Sequence, residues 1–347
     1  MNGRLRSTLT LGRWLGPWAG ESTPKNTIRD EQWLDVGGRR MRVAVHRPRQ
    51  EPKGVWLVTP GLHPAGPDDP RLDRFCRVLA ASGFVAVAPY LPDFLSLVIA
   101  ERAKDDLAVA FDFAEQFGEV GIFSISFGSL PASALAASER GDRARALVLF
   151  GGFCDFAATV RFALTGGDGV AHDPLNGPVV HLHLLPFYPA EIDREKIAKA
   201  WREMVVRTWG KNELKVGRAR EPHALDIARV MGFEGAMRDV FLLGCGLAPG
   251  GEALLEEALS KLAGEYAWAD PSVHLAHVRT RVYVVHGRED DVIPYTEAYK
   301  IKAIVGDRCE VHVTGMYGHT GSSLPSPRAL ASEIATLVRV LRILSGP

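Results

Sequence analysis

Val120-Gly121-Ile122-Phe123-Ser124-Ile125-Ser126-Phe127-Gly128 is a short apolar run that breaks at a serine, with the small residues Ser124 and Gly128 two positions to either side. A strand that turns sharply into a helix needs small side chains at those two places, because the backbone folds back on itself there. The usual form is Gly-x-Ser-x-Gly, and here Ser124 stands in the first glycine position. With 35 glycines among 347 residues, a Ser-x-Gly arises by chance about once or twice, so the motif gains weight only from its surroundings.

Those surroundings alternate between strand-like and helix-like segments. Met41, Val43 and Val45 alternate with Arg42, Ala44 and His46, which marks a strand with one exposed side. Residues 54–59 and 84–88 are continuous apolar runs, as in strands buried on both faces. Between them Pro70 suits a first helical position, and Leu72, Phe75, Cys76 and Leu79 follow at i, i+3, i+4 and i+7 up to Gly83. Residues 105–117 form a helix with Leu107, Phe111 and Ala114 on one face and Gly118 as its cap. Strands follow at 146–150, 281–285 and 309–313, with a helix at 294–305. A last helix opens at Ser326-Pro327 and carries Leu330, Ile334, Leu337, Val338 and Leu341. The pattern predicts an α/β fold, a mostly parallel sheet flanked by helices.

One interval breaks the alternation. Residues 156–272 hold Ile197, Trp201 and Val205 at four-residue spacing, with further helical candidates at 224–243 and 252–262. The predicted organisation is an N-terminal extension at 1–33, a core at 34–155 and 273–347, and a helical cap or lid at 156–272. A module inserted between two strands of such a sheet covers the strand ends, where ligand contacts gather. Trp201 and Trp209 on the insertion are expected to pack on the body or to wall a pocket.

Residues 1–20 carry Arg4, Arg6 and Arg13 among Leu5, Leu9, Leu11, Trp14 and Trp18, without an apolar core or a small-residue cleavage pattern. They read as a segment packing its Leu and Trp side chains onto the body rather than as a signal peptide or membrane anchor. Gly83, Pro89, Pro92 and Asp93 interrupt the weakly charged run at 81–100, which suits a strand and loop better than a membrane span.

Lys plus Arg and Asp plus Glu both number 41, so no net field favours nucleic acid or an anionic membrane, and contact with either is not expected. Cys76, Cys154, Cys245 and Cys309 are too scattered for a zinc site or redox pair and read as reduced, buried thiols of a cytoplasmic protein. His181 and His183 would face one side of an extended segment at 180–184, but a third metal ligand at sensible spacing is lacking. Residues 166–169, Gly-Gly-Asp-Gly, read as a flexible turn rather than a phosphate loop.

An isolated serine hydroxyl is almost fully protonated at neutral pH, so Ser126 needs a base. His319 is the candidate, in the glycine-flanked loop Met316-Tyr317-Gly318-His319-Thr320-Gly321 after the last strand. A carboxylate must fix its tautomer and stabilise the imidazolium. Asp290 follows the strand ending at His286, in the run Glu289-Asp290-Asp291, whose outer acids also suit solvated or capping roles. Asp155, after the strand ending at Phe150, is an alternative acid.

With Ser126, Asp290 and His319 in the order nucleophile, acid, base, the chain resembles the α/β-hydrolase fold superfamily, esterases and lipases in particular. The resemblance spans the chain outside residues 1–33 and the insertion. In that family the stretch written here His286-Gly287-x-x-Asp290-x-x-Ile293-Pro294 delivers the acid, which favours Asp290 and leaves His286 a structural role. It also implies an oxyanion hole from the backbone N–H groups of Phe127 and of Leu62, in the loop Pro60-Gly61-Leu62-His63-Pro64, where Pro60 replaces the family's common His. His63 either lines the pocket or lies on the surface. Pro131 falls five residues after the nucleophile and is harmless only in a first helical turn.

The resemblance implies a serine hydrolase cleaving a carboxylic ester or related acyl compound through an acyl-enzyme on Ser126, with no cofactor and with a small, partly hydrophobic acyl substrate. Thioester hydrolysis, perhydrolysis and carbon–carbon cleavage run on the same triad, and a non-catalytic ligand-binding protein is the rival from another class.

Overall fold

The apolar runs pair into one sheet of eight strands in the order β1-β2-β4-β3-β5-β6-β7-β8. In the computed structural model, which describes residues 3–16, 22–167, 169–262, 266–315 and 330–346, these are β1 (Thr27–Val36), β2 (Arg39–Pro48), β3 (Val55–Thr59), β4 (Val85–Pro89), β5 (Val120–Ile125), β6 (Leu147–Phe150), β7 (Val282–Gly287) and β8 (Cys309–Thr314). β2 runs antiparallel to β1 and β4, and every pair from β4 to β8 is parallel. The mostly parallel α/β sheet expected from the alternation is present.

The strand period sorts side chains between two apolar layers. Val55, Leu57, Val85, Val87, Ile122 and Leu149 face one, which continues through Phe111 and Leu130 into the insertion residues Trp201, Met204 and Phe241. Trp56, Val58, Ala86, Phe123 and Val148 face the other, covered by Leu72, Cys76 and Leu79 of helix Pro70–Ala81 and by Leu337 and Leu341 of helix Leu330–Leu344. Asp69 caps the first of these helices by accepting the N–H groups of Arg71 and Leu72. The expected start of the last helix at Ser326 and Pro327 lies outside the described residues, and Ile334, expected on its apolar face, is exposed.

One boundary differs from expectation. β1 lies largely inside the stretch set aside as an extension, because an antiparallel edge strand can keep Asp30, Glu31 and Gln32 toward solvent and so loses the apolar alternation that marks a strand. Ahead of it, helix Gly3–Leu15 docks through the fully buried Leu11, while Ser7 Oγ donates to the Ser82 carbonyl at 2.7 Å and Lys53 Nζ donates to the Gly3 carbonyl at 3.0 Å. Leu5 and Leu9 stay exposed. Trp18 lies outside the described residues.

The insertion is helical: Phe156–Thr165, Gly177–Leu184, Arg194–Thr208, Glu221–Val230, Gly235–Gly244 and Gly251–Leu262. The single helix expected at 224–243 is two, parted where Gly232 takes a φ of 62°. The extended segment expected at 180–184 is also helix, so His181 and His183 point apart instead of to one side. His183 Nδ1 donates to the Val179 carbonyl while Nε2 accepts the Ile99 N–H, which uses both ring nitrogens; His181 Nδ1 meets the Tyr188 hydroxyl at 2.7 Å. Among the described residues no group of three His, Cys, Asp or Glu could hold a metal, and no helix is long and apolar enough to cross a membrane. All four cysteines are buried free thiols.

Candidate active site

Register decides which loops meet. Thr59 of β3 pairs with Ser124 of β5, Ile125 with Phe150 of β6, Phe150 with Val285 of β7, and Gly287 with Thr314 of β8. The loops leaving the carboxyl ends of these five strands therefore emerge side by side along one sheet edge, where open α/β sheets bind ligands.

Ser126 sits on that edge, at the end of β5, between the loops after β3 and β6. The chain turns from β5 into a 3-10 segment, Ser126–Gly128, and then into helix Ser129–Ala137. Ser126 has a φ of 53°, a region costly for a side chain with a Cβ, and among the described residues Leu97 is the other non-glycine there. The small flanking residues have separate reasons. A Cβ at Gly128 would stand 2.5 Å from the Pro60 carbonyl oxygen and 2.9 Å from that of Thr59, so only glycine fits beneath the loop after β3. Ser124 is fully buried, and its Oγ donates to the Val148 carbonyl of β6 at 3.4 Å, which explains how a serine is tolerated in place of glycine. Pro131 is the third residue of its helix, within the first turn, where its missing N–H breaks no helical bond.

The loop after β3 closes on the serine. A Cβ on Gly61 would lie 3.2 Å from both Ser126 Cβ and the Ile125 carbonyl oxygen, and Leu62 is buried. His63 is half-buried: its Nδ1 accepts the Ala65 N–H at 3.2 Å, leaving the proton on Nε2, which is 3.2 Å from Asp69 Oδ2. Its ring centroid is 5.8 Å from that of Trp209 on the insertion. Burial lowers the His63 pKa, outweighing the attraction of Asp69. Trp201, by contrast, is fully buried inside the insertion, with Nε1 donating to the Phe241 carbonyl.

The candidate acids stand in different surroundings. Asp290 is buried; its Oδ1 accepts the N–H groups of Val292 and Ile293, both at 2.9 Å, and its Oδ2 is 3.4 Å from His286 Nε2. His286 Nε2 donates to the Ile293 carbonyl, so this buried histidine braces the same loop from within. Asp155 caps helix Phe156–Thr165 through the Ala158 N–H and pairs with Lys300 at 3.1 Å. Glu289 is exposed, and Asp291 turns to the insertion, where it pairs with Lys215 at 2.6 Å. His319 lies outside the described residues. The end of the strand before it is held by Glu333, which accepts the Thr314 hydroxyl and the Gly315 N–H.

Several of these supports had no local signal in sequence. Glu297, fully buried, accepts the N–H groups of Cys154 and Asp155 from across the sheet edge, and Lys215 reaches Asp291 over a separation of 76 residues.

No protein-family model and no curated protein sequence matches the chain. Among solved structures it is similar to Est1E from Butyrivibrio proteoclasticus, at 13% identity over 90% of this chain and 98% of that one with a TM-score of 0.50. It is also similar to a 2,6-dihydroxy-pseudo-oxynicotine hydrolase, at 15% identity over 91% of this chain and 67% of that one with a TM-score of 0.50. A Pyrococcus horikoshii acylaminoacyl peptidase matches at 12% identity with a TM-score of 0.48 over 92% of this chain, which spans 41% of that peptidase's length. Together with the strand order and the antiparallel β2 beside a parallel run, the likenesses to Est1E and to the 2,6-dihydroxy-pseudo-oxynicotine hydrolase show that the chain has the α/β-hydrolase fold.

Proposed function

We propose that this chain is a serine hydrolase that cleaves a carboxylic ester or related acyl compound, with Ser126 as nucleophile, His319 as base and Asp290 as acid. The observation that carries the proposal is Ser126 held at a φ of 53° between a strand and a helix, with the loop after β3 packed against its Cβ. Backbone strain of this kind persists where the surrounding structure enforces it, and it suits a hydroxyl presented to a substrate carbonyl.

In the proposed reaction the Ser126 oxygen attacks the acyl carbon as its proton passes to His319, and the oxyanion takes hydrogen bonds from the Leu62 and Phe127 N–H groups. The protonated histidine gives its proton to the departing alcohol. Water then repeats the sequence on the acyl-enzyme and frees Ser126. Asp290, its carboxylate fixed by two backbone amides on Oδ1, orients the base in this reading. Phe127, half-buried and next to the nucleophile, packs 5.1 Å from the fully buried Phe153, an apolar surround that favours an apolar acyl or alcohol group.

The test is a fluorophosphonate probe followed by digestion and mapping of the adduct. Labelling should fall on Ser126, vanish in Ser126→Ala and weaken in His319→Ala. Absence of labelling in folded protein refutes catalysis and leaves a ligand-binding role. Turnover of p-nitrophenyl esters should drop far more in Asp290→Asn than in Asp155→Asn, and a series of acyl lengths on the same leaving group bounds the substrate.

A further inference from the structure

The insertion touches both the loop after β3 and the loop after β7, and it does so from one short segment. After helix Arg194–Thr208 the chain runs through Trp209 and the 3-10 turn Asn212–Leu214 to Lys215. At one end the Trp209 ring lies 5.8 Å from that of His63, the neighbour of Leu62, and its Nε1 donates to the Leu175 carbonyl at 3.0 Å. At the other end Lys215 Nζ lies 2.8 Å from Asp173 Oδ2 and 2.6 Å from Asp291 Oδ2, and the Asp173 N–H donates to the Asp291 carbonyl at 2.9 Å. Asp291 is the residue after Asp290.

We propose that residues 209–215 form a strap, in which Trp209 and Lys215 act as positioning residues, holding the loop of Leu62 and the loop of Asp290 at their working separation. The inference rests on the serine hydrolase reading above and adds to it a task for the insertion beyond shaping the substrate pocket. The ion triplet is largely buried, with side-chain exposures of 18% for Lys215, 5% for Asp173 and 24% for Asp291. Burial opposes charge on Lys215, but its bonds to Asp173 and Asp291 outweigh this and raise its pKa, so the ammonium stays charged at neutral pH. Largely buried ion pairs of this sort add little net stability compared with apolar packing, whereas they fix geometry, and a displacement of about 1 Å at a catalytic group slows turnover.

The strap makes a prediction that a merely stabilising contact does not. Lys215 acts through the acid loop, so its effect should depend on Asp290, whereas Trp209 acts through the oxyanion loop and should not. With a p-nitrophenyl ester, Lys215→Met should lower kcat about tenfold with KM within about twofold, and Lys215→Arg should restore most of the rate. Placed in Asp290→Asn, Lys215→Met should cost less than about twofold further, while Trp209→Ala should cost about tenfold in either background. A wild-type kcat in folded Lys215→Met or Trp209→Ala overturns the strap, and so does an equal loss from Lys215→Met in both backgrounds. If Lys215→Met does not fold, Asp291→Asn, which removes the charge and keeps the shape, decides by the same measurements. Failure of the parent reading looks different: the wild-type chain then neither labels at Ser126 nor turns over.

Discussion

Ser126 owes its presentation to what stands around it at atomic range. The turn closes because Gly128 lets the Pro60 carbonyl approach to a distance that no Cβ permits. Gly128→Ala should therefore force the loop after β3 outward, destabilising the fold by about 1–3 kcal/mol through overpacking, and should slow fluorophosphonate labelling of Ser126 by more than tenfold; melting and labelling rates read the two effects separately. Ser124 predicts the opposite balance. Its buried hydroxyl bonds to the Val148 carbonyl of β6, so Ser124→Gly should cost about 1 kcal/mol in thermal unfolding and change labelling by less than about twofold. The candidate nucleophile was legible because its requirement is local, two small residues at fixed offsets after an apolar run. Lys215 and Glu297 were not, since each matters through a partner brought close only by folding.

Helix Pro70–Ala81 was legible from its two distinct faces and the central parallel strands from short, unbroken apolar runs, whereas helix Gly177–Leu184 is apolar nearly all round, and its short run reads as well for a strand as for a helix. That helix also carries a consequence for pH. Burial pushes His181 down from 6.5 to about 4, and burial does the same to His46 in β2, again to about 4, against the opposing pull of Asp73. Both histidines are thus neutral in the folded chain over a range where the unfolded chain binds their protons. Their folded pKa values are depressed, so the stability they allow is fully present above about pH 6.5 and is lost as pH falls toward about 4. Within that window each should steepen the loss by about 1.4 kcal/mol per pH unit. Urea midpoints at pH 7 and 5 measure the loss, and His181→Gln should flatten it by one histidine's share; an unchanged slope would show that His181 titrates normally.

Across the whole molecule the two faces of the sheet are covered by parts of unequal independence. On one face the insertion and the core share a single apolar layer in which Trp201, Met204 and Phe241 continue from Leu57, Val87 and Leu149. On the other, helix Gly3–Leu15 adds Leu11 to a layer already closed by the helices Pro70–Ala81 and Leu330–Leu344. The sequence pattern separated these parts by periodicity, but periodicity carries no measure of how much surface two segments share, so it does not rank the N-terminal extension against the cap. They are not equally removable. Deleting residues 3–15 uncovers one fully buried leucine and breaks the Ser7 and Lys53 bonds, a loss of about 2–4 kcal/mol. The shortened chain should melt in one cooperative step at lower temperature and still label at Ser126. Deleting residues 156–271 strips an apolar layer several times larger and leaves Asp290 without the Lys215 strap beside it, so that chain should be recovered as aggregate. A soluble, cooperatively melting core lacking the insertion would show instead that the cap is a separate folding unit laid over a finished site.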